Sequence, residues 1–484
     1  MPNVVLGVMV AFQGLAQGGM TTPPGGDTVG YWQQRVHYQI TATLDEQDQR
    51  VRARGSLWYV NNSPDTLRAL FFHQYLNAFR PGSKWSRVDE REGRKRFQRL
   101  REPAHAYERF TAPVRVNGTP STLEYPGSPD STLVRVALRS ALLPRDSLQV
   151  EFDWEARPSM LPRRQGRRGR HWDLAQWYPK VAVYDRGGWE PNALQPAGEF
   201  YGEFGTYDVT LIVANDQVLA ATGVPVSGDP GWSRVSRSGP PRLAAGAYGD
   251  FPPPTANVPQ GFRAVRFYAQ NVHHFAWSAA PDYRYEGGVF ARPAPATHFR
   301  TWDTVGVHVL YRPGDDSSWG GQRALRRTIA ALQWFEAIIG PYPYPQLTAQ
   351  HRIDGGGSET PMLMMNGSPS QGLILHEGGH MYFYGALANN EWRSGWMDEG
   401  LTSYQTAWAQ LLTPQERERA GISDRFTRPK GYRGVGIRMA LPRFEVVGLN
   451  QATLDLNGLA QPLGTLAHQF RDFDTYNDVT YDRA

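Results

Sequence analysis

HEGGHMYFYG, residues 376–385, sets two histidines four apart with a glutamate directly after the first. On a helix, positions i and i+4 project from one face, so His376 and His380 can reach a single ion. Both positions between Glu377 and His380 are glycine, the poorest helix former after proline. Each glycine costs ~1 kcal/mol of helix stability, whereas zinc coordination supplies on the order of 10 kcal/mol. The helix is therefore expected to form around a metal. Gly379, next to the second histidine, leaves room for a neighbouring element or a substrate backbone. Gly378 has no such account in the sequence.

Two imidazoles suit Zn²⁺, and a catalytic zinc takes three protein ligands with a fourth place left for water. A carboxylate arriving from a neighbouring helix would complete the set. Glu399, in WMDEGLTSY, follows His380 after eighteen intervening residues. That is enough chain for one helix to end and another to pack beside it. A purely structural reading would bury two histidines and two carboxylates without partners, which is costly. The spacing predicts one Zn²⁺ per chain, held by His376, His380 and Glu399.

The surroundings are helical. RALRRTIAALQWFEAIIG (323–340) places Leu325, Ile329, Leu332, Phe335 and Ile338 at helical spacing, and Gly340-Pro341 stops it. GLILHEGGHMYFYGAL and MDEGLTSYQTAWAQLL read as two further helices. Upstream, from Tyr31 to about Asp282, the pattern is β. VHYQITATLD, SLWYVNN and YDVTLIVAN are set between turn signals such as NNSPD and VNGTP, with no sustained helical period. The expected fold is multidomain α+β. Residues 1–28 read as a possible leader or disordered segment, 29–282 as a β-rich domain, and 283–484 as the domain that carries the chemistry.

Composition narrows the partners. The 484 residues carry a net charge of +5, and neither basic run, REGRKRFQR (91–99) or RRQGRRGR (163–170), shows aromatics alternating with the charges. They read as solvated loops rather than a nucleic-acid groove. No run approaches the ~18 apolar residues of a spanning helix. With no cysteine, thiolate ligands and cysteine nucleophiles are excluded. MPNVVLGVMVAFQGLAQGG has an apolar run and a small-residue end but no positive n-region; the reading leans towards export, with a cytoplasmic protein as the alternative. Oligomeric state is left open.

The set HEGGH, eighteen residues, then Glu399 in DEGL resembles the gluzincin aminopeptidases of the aminopeptidase N family. The resemblance extends over most of the chain, through YWQQRVHYQI, SLWYVNNSPDTLRALFFHQYLNAFR and AQWYPKVAVYD. It implies an N-terminal β saddle or sandwich followed by a thermolysin-like catalytic domain. It also implies that GGGSETPMLMM stands for the family's G-x-M-E-N element on an edge strand, with its methionine and asparagine replaced. Gly356 and Gly357 would then line the substrate, and Glu359 would grip its free α-ammonium. Gln176 falls where the family often has a cleft glutamine, and a plain loop glutamine is an equal reading. Paired His273 and His274 read as packing or surface residues. Tyr476 and Tyr481, in YNDVTYDRA, match the family's tyrosine pair, which makes Tyr481 the oxyanion donor.

On this reading Glu377 is the general base towards a zinc-activated water. The activity is removal of N-terminal residues from peptides with a free N-terminus. Two alternatives stand: a thermolysin-type endopeptidase, and a catalytically impaired interaction protein on a peptidase scaffold. In the family the catalytic domain continues past this tyrosine. The chain thus reads as C-terminally truncated, with Tyr481 on a terminus too short to dock.

Overall fold

Period-two burial builds the first sheet. In β1 (Arg35–Asp45), Val36, Tyr38, Ile40, Ala42 and Leu44 are buried and the residues between them are not. β1 pairs antiparallel with β2 (Arg50–Val60), which pairs antiparallel with β3 (Ser147–Arg157). On its other side β1 runs parallel to β4 (Gly205–Ala214), and β5 (Phe262–Val272) returns antiparallel. Short strands at both ends complete a nine-stranded sheet. Aromatic residues fill its core: Trp154, Trp177 and Trp277 stand in contact at 5.9 Å centroid spacings. Trp154 and Trp177 each donate their indole N–H to a buried carbonyl, of Trp177 and Phe275.

The structure is a computed structural model and describes residues 31–236, 247–248, 251–292, 302–422, 432–434, 437–439 and 443–483. The expected leader at 1–28 lies outside them. Within the β-rich region the structure adds short helices that the sequence reading does not contain, the longest among the described residues being α1 (Lys84–Arg91). Ser83 caps it by accepting from Ser86 N at 3.0 Å. Two turns are too short to show a sustained helical period, but Trp85 and Asp89 are buried at i and i+4.

A second, five-stranded sheet follows: β6 (Arg284–Ala291), β7 (Thr304–Tyr311), β8 (Gln346–His351), β9 (Glu359–Thr360) and β10 (Leu363–Asn366). The order is β6-β7-β8-β10-β9, parallel through β7, β8 and β10, with an antiparallel strand at each edge. Three helices pack with it: α2 (Arg323–Ile338), α3 (Gln371–Phe383) and α4 (Glu399–Leu411). All three coincide with the helical periods read from the sequence. No helix among the described residues is long and apolar enough to cross a membrane.

Gln34–Ala484 forms one compact unit with a core continuous from the β-rich region into the helices. One buried carboxylate ties the regions together where it matters for the site. Asp173, on the strand His171–Leu174, accepts from Ser278 Oγ (2.9 Å), Gln350 Nε2 (3.1 Å) and Ile353 N (2.7 Å). It thereby anchors the start of the loop that leads from β8 to the edge strand β9.

Candidate metal centre and substrate cleft

The two glycines of HEGGH are explained by packing. A Cβ on Gly378 would fall 2.8 Å from Phe335 Cε2 of α2, and one on Gly379 would fall 2.5 Å from Gln405 Nε2 of α4. Gln405 uses that approach. Its Nε2 donates to Leu375 O at 2.7 Å, and its Oε1 accepts from Trp334 Nε1 at 3.0 Å. One side chain thus ties α2, α3 and α4 together through the gap the glycine leaves. The structure supplies the account of Gly378 that the sequence does not contain.

This packing brings three ligand atoms together. His376 Nε2 lies 3.1 Å from Glu399 Oε2, His380 Nε2 lies 3.2 Å from His376 Nε2, and His380 Nε2 lies 3.3 Å from Glu399 Oε2. Ligands ~2.05 Å from a tetrahedral zinc stand about 3.3 Å apart. The three atoms therefore form one face of a zinc tetrahedron, and two imidazoles with one carboxylate are a donor set zinc accepts. His380 Nδ1 is hydrogen-bonded to Asp398 Oδ1, which turns Nε2 towards the cluster. Burial opposes ionisation of Glu399, but the two imidazoles hold its carboxyl well below the usual carboxylate range.

Glu377 is buried beside the triangle. Its Oε1 lies where a Cβ on Gly357 would stand, 1.8 Å from that position, and its Oε2 is buried without a hydrogen-bond partner. Burial, reinforced by Glu359 and Glu399 against the pull of the two imidazoles, raises its carboxyl to about 7. Gly357 and Glu377 are thus in contact. Gly356 occupies the left-handed region at φ +77° and turns the loop.

Tyr481 is docked, which corrects the expectation of a frayed terminus. Its hydroxyl donates to Glu399 Oε1, its ring stacks on His376 at 6.1 Å, and it packs against a small core of Ala197, Phe470, Tyr476 and Val479. Burial and Glu399 push the phenol well above its ordinary range, so it keeps its proton. Gln176 is buried at φ +59° with Oε1 unpartnered, and makes no hydrogen bond to the metal cluster. His273 and His274 are buried packing residues; His273 Nε2 donates to Tyr384 O at 3.1 Å.

The basic run 163–170 needs a second correction. Arg164 is not solvated: its Nη1 donates to Glu359 Oε1 at 2.7 Å and its Nη2 to Glu199 Oε1. Arg167 is buried as well, donating to Pro103 O at 2.6 Å. Glu359 stands on the edge strand β9 as expected, but a guanidinium already occupies one of its oxygens. Arg164, Glu199 and Asp398 are the site residues that the sequence reading misses. Only Asp398, preceding Glu399 in MDEGL, left a local signal.

No protein-family model matches the sequence, and no curated protein matches it. Solved structures do match. One is the M1 zinc metallopeptidase from Deinococcus radiodurans, with TM-score 0.52 and 15% identity over 93% of this chain and 81% of that one. A mutant of it bound to a Tyr-Ser-Ala substrate matches with the same score and identity, over 93% and 82%. A two-domain M1 zinc metallopeptidase mutant bound to L-tryptophan gives 0.52 and 15%, over 92% and 81%. This chain shares their fold. A sheet-rich N-terminal region and a helical C-terminal part are common to all of them.

Proposed function

We propose that the chain is a zinc aminopeptidase. The observation that carries this reading is the triangle of His376 Nε2, His380 Nε2 and Glu399 Oε2, sized for zinc, with Glu377 beside it. Bound there, zinc supplies a Lewis acid that polarises the scissile carbonyl and acidifies the attacking water. Glu377 takes the proton of that water and delivers it to the leaving amine, and burial places its carboxyl near the pH at which such a base works best. Tyr481 keeps its proton and turns its O–H from Glu399 to the developing oxyanion. Glu359, on the edge strand, pairs with the α-ammonium of the substrate and so sets exo cleavage. The tripeptide held by the neighbouring metallopeptidase supports a peptide substrate.

One observation favours the endopeptidase alternative: Glu359 already has a cation, Arg164. Turnover of aminoacyl amides, free and N-acetylated, separates the two. The aminopeptidase reading expects cleavage of free-amine substrates only. It also expects His380→Ala to lose zinc and Glu377→Gln to keep zinc while losing turnover. Near-normal kcat in Glu377→Gln, or equal cleavage of free and N-acetylated substrates, overturns it.

A further inference from the structure

Three glycines in a row, Gly355, Gly356 and Gly357, lie in the loop that joins β8 to the edge strand β9. Glycine has more conformational freedom to lose than any other residue, so contacts rather than propensity must fix where this loop lies. Arg352 N donates to Asn366 O at 3.0 Å, and Gly367 N donates to Gly356 O at 2.7 Å. Arg352 also closes the loop on itself, its Nη1 donating to Gly357 O at 2.7 Å. These partners all belong to the stretch 352–367, of which the loop is part. Asp173 does not. It comes from the β-rich region, and its Oδ2 accepts from Ile353 N at 2.7 Å. Asp173 is itself fixed, because its Oδ1 accepts from Ser278 Oγ at 2.9 Å, on the paired strand, and from Gln350 Nε2 at 3.1 Å. Burial opposes its ionisation, but His171, the Ile353 N–H and Arg352 hold the carboxyl below its ordinary range. A buried carboxylate with donors on both oxygens is a rigid post for the loop.

We infer that Asp173 is a positioning residue for Glu377: it fixes the loop whose Gly357 forms the wall against which the Glu377 carboxylate rests. The relay has three links. Asp173 Oδ2 holds Ile353 N, Arg352 Nη1 holds Gly357 O, and Gly357 meets Glu377 Oε1. Asp173 acts through the loop and not at the reacting atoms. Its effect on rate rests on the reading of Glu377 as the general base, whereas its effect on the position of the carboxylate does not. Loss of the post frees a triple-glycine loop to shift, and the carboxylate shifts with its wall.

The test is Asp173→Ala in the zinc-loaded full chain, assayed on aminoacyl amides. Asp173→Asn is measured beside it, since asparagine keeps a carbonyl oxygen for Ile353 N. Asp173→Ala should keep its zinc and its KM and lose kcat by roughly tenfold to 100-fold, the cost of a misplacement approaching 1 Å. Asp173→Asn should restore most of that loss. A crystal structure of Asp173→Ala should show the Glu377 carboxylate moved by on the order of 1 Å with α3 in place. A double-mutant cycle with Gly357→Ala separates this role from general stability. A released loop yields to the added methyl, so the combined loss should be roughly tenfold smaller than the product of the two. Unchanged kcat in Asp173→Ala, losses that multiply, or an unmoved Glu377 overturns the inference and leaves the peptidase reading standing. No turnover by the unaltered protein, with Glu377 displaced in Asp173→Ala, overturns the peptidase reading and leaves the positioning standing. Should Asp173→Ala fail to fold, Asp173→Ser, whose hydroxyl stops one bond short of Ile353 N, carries the same expectations.

Discussion

On the proposed mechanism, Gly357→Ala would displace the base, Glu377, without replacing it. The added Cβ would stand 1.8 Å from Glu377 Oε1 and 2.1 Å from its Cδ. An ordinary carbon–oxygen contact needs about 3.2 Å, so the carboxylate must retreat by about 1.4 Å or the loop must yield by as much. Gly357 does not stand in the left-handed region, so alanine adds no backbone strain of its own. The loop is also held, since Arg352 Nη1 donates to Gly357 O at 2.7 Å and Gly367 N to Gly356 O at 2.7 Å. The carboxylate is therefore the part that moves. A displacement of about 1 Å at a catalytic group costs on the order of 100-fold in rate. Gly357→Ala should keep its zinc and its melting temperature to within a few degrees, and lose kcat by about that factor. Zinc content, thermal unfolding and single-turnover kinetics together check it. A variant with full zinc and near-normal kcat would show that the carboxylate over Gly357 is not the working position of the base.

Gly379→Ala should destabilise the fold by about 1–3 kcal/mol despite alanine's better helix propensity, because its Cβ would stand 2.5 Å from Gln405 Nε2 and break that atom's buried bond to Leu375 O. Denaturant unfolding checks it, and a more stable variant refutes it. Lys180→Met should stabilise the chain near pH 7 by on the order of 4 kcal/mol, because burial lowers the Lys180 ammonium from 10.5 to about 7 and leaves Nζ unpartnered. The unfolded chain binds the extra proton between those values, so the parent gains stability as pH rises from 7 to 10.5 and the difference between the two should shrink; a constant difference sinks the argument. Zinc binding at pH 7 should release more than one proton per ion. Asp398 and Glu399 overcome burial to hold His380 protonated well above its usual range, and burial lifts Glu377 to about 7. Calorimetry in two buffers of different ionisation enthalpy counts these protons, and a count of zero is the refuting result.

Local patterns were legible where one element carries the whole message. The helix over Arg323–Ile338 follows from five apolar residues at helical spacing, and His376 and His380 share a face because i and i+4 do so on any helix. Glu399 was legible because its distance along the chain is set by one helix ending and the next beginning. Arg164 was not. Its partners lie 35 and 195 residues away, and in sequence RRQGRRGR has the composition of a solvated loop. Long-range pairing of an arginine leaves no periodicity to read. Gly378 was opaque for the same reason, since the ring that excludes its Cβ comes from Phe335, 43 residues earlier. The docking of Tyr481 depends on a small aromatic core drawn from Ala197 and residues 470–479, which spacing alone does not reveal.

The geometry of the ligands and the charge of their surroundings are separate arguments, and they agree. Glu199, Glu377, Glu391, Asp398 and Glu399 are all buried around one centre, and Glu359 joins them on the edge strand. Burial raises Glu199 to about 8, Glu377 and Asp398 to about 7, and Glu391 well above the usual carboxylate range. Arg164 offsets one of these charges, and Lys180, itself pushed down by burial, offsets at most one more. A fold does not keep this many carboxylates out of water for packing, because apolar residues would fill the same volume at less cost. A divalent cation at the His376, His380 and Glu399 triangle would remove two charges of the imbalance, and an ammonium at Glu359 one more. The metal-free protein instead balances its charge by holding protons, on Glu377 among others. On the proposed mechanism the same carboxyl must be free of its proton to act as a base, so an ion at the triangle would also favour the working state of Glu377.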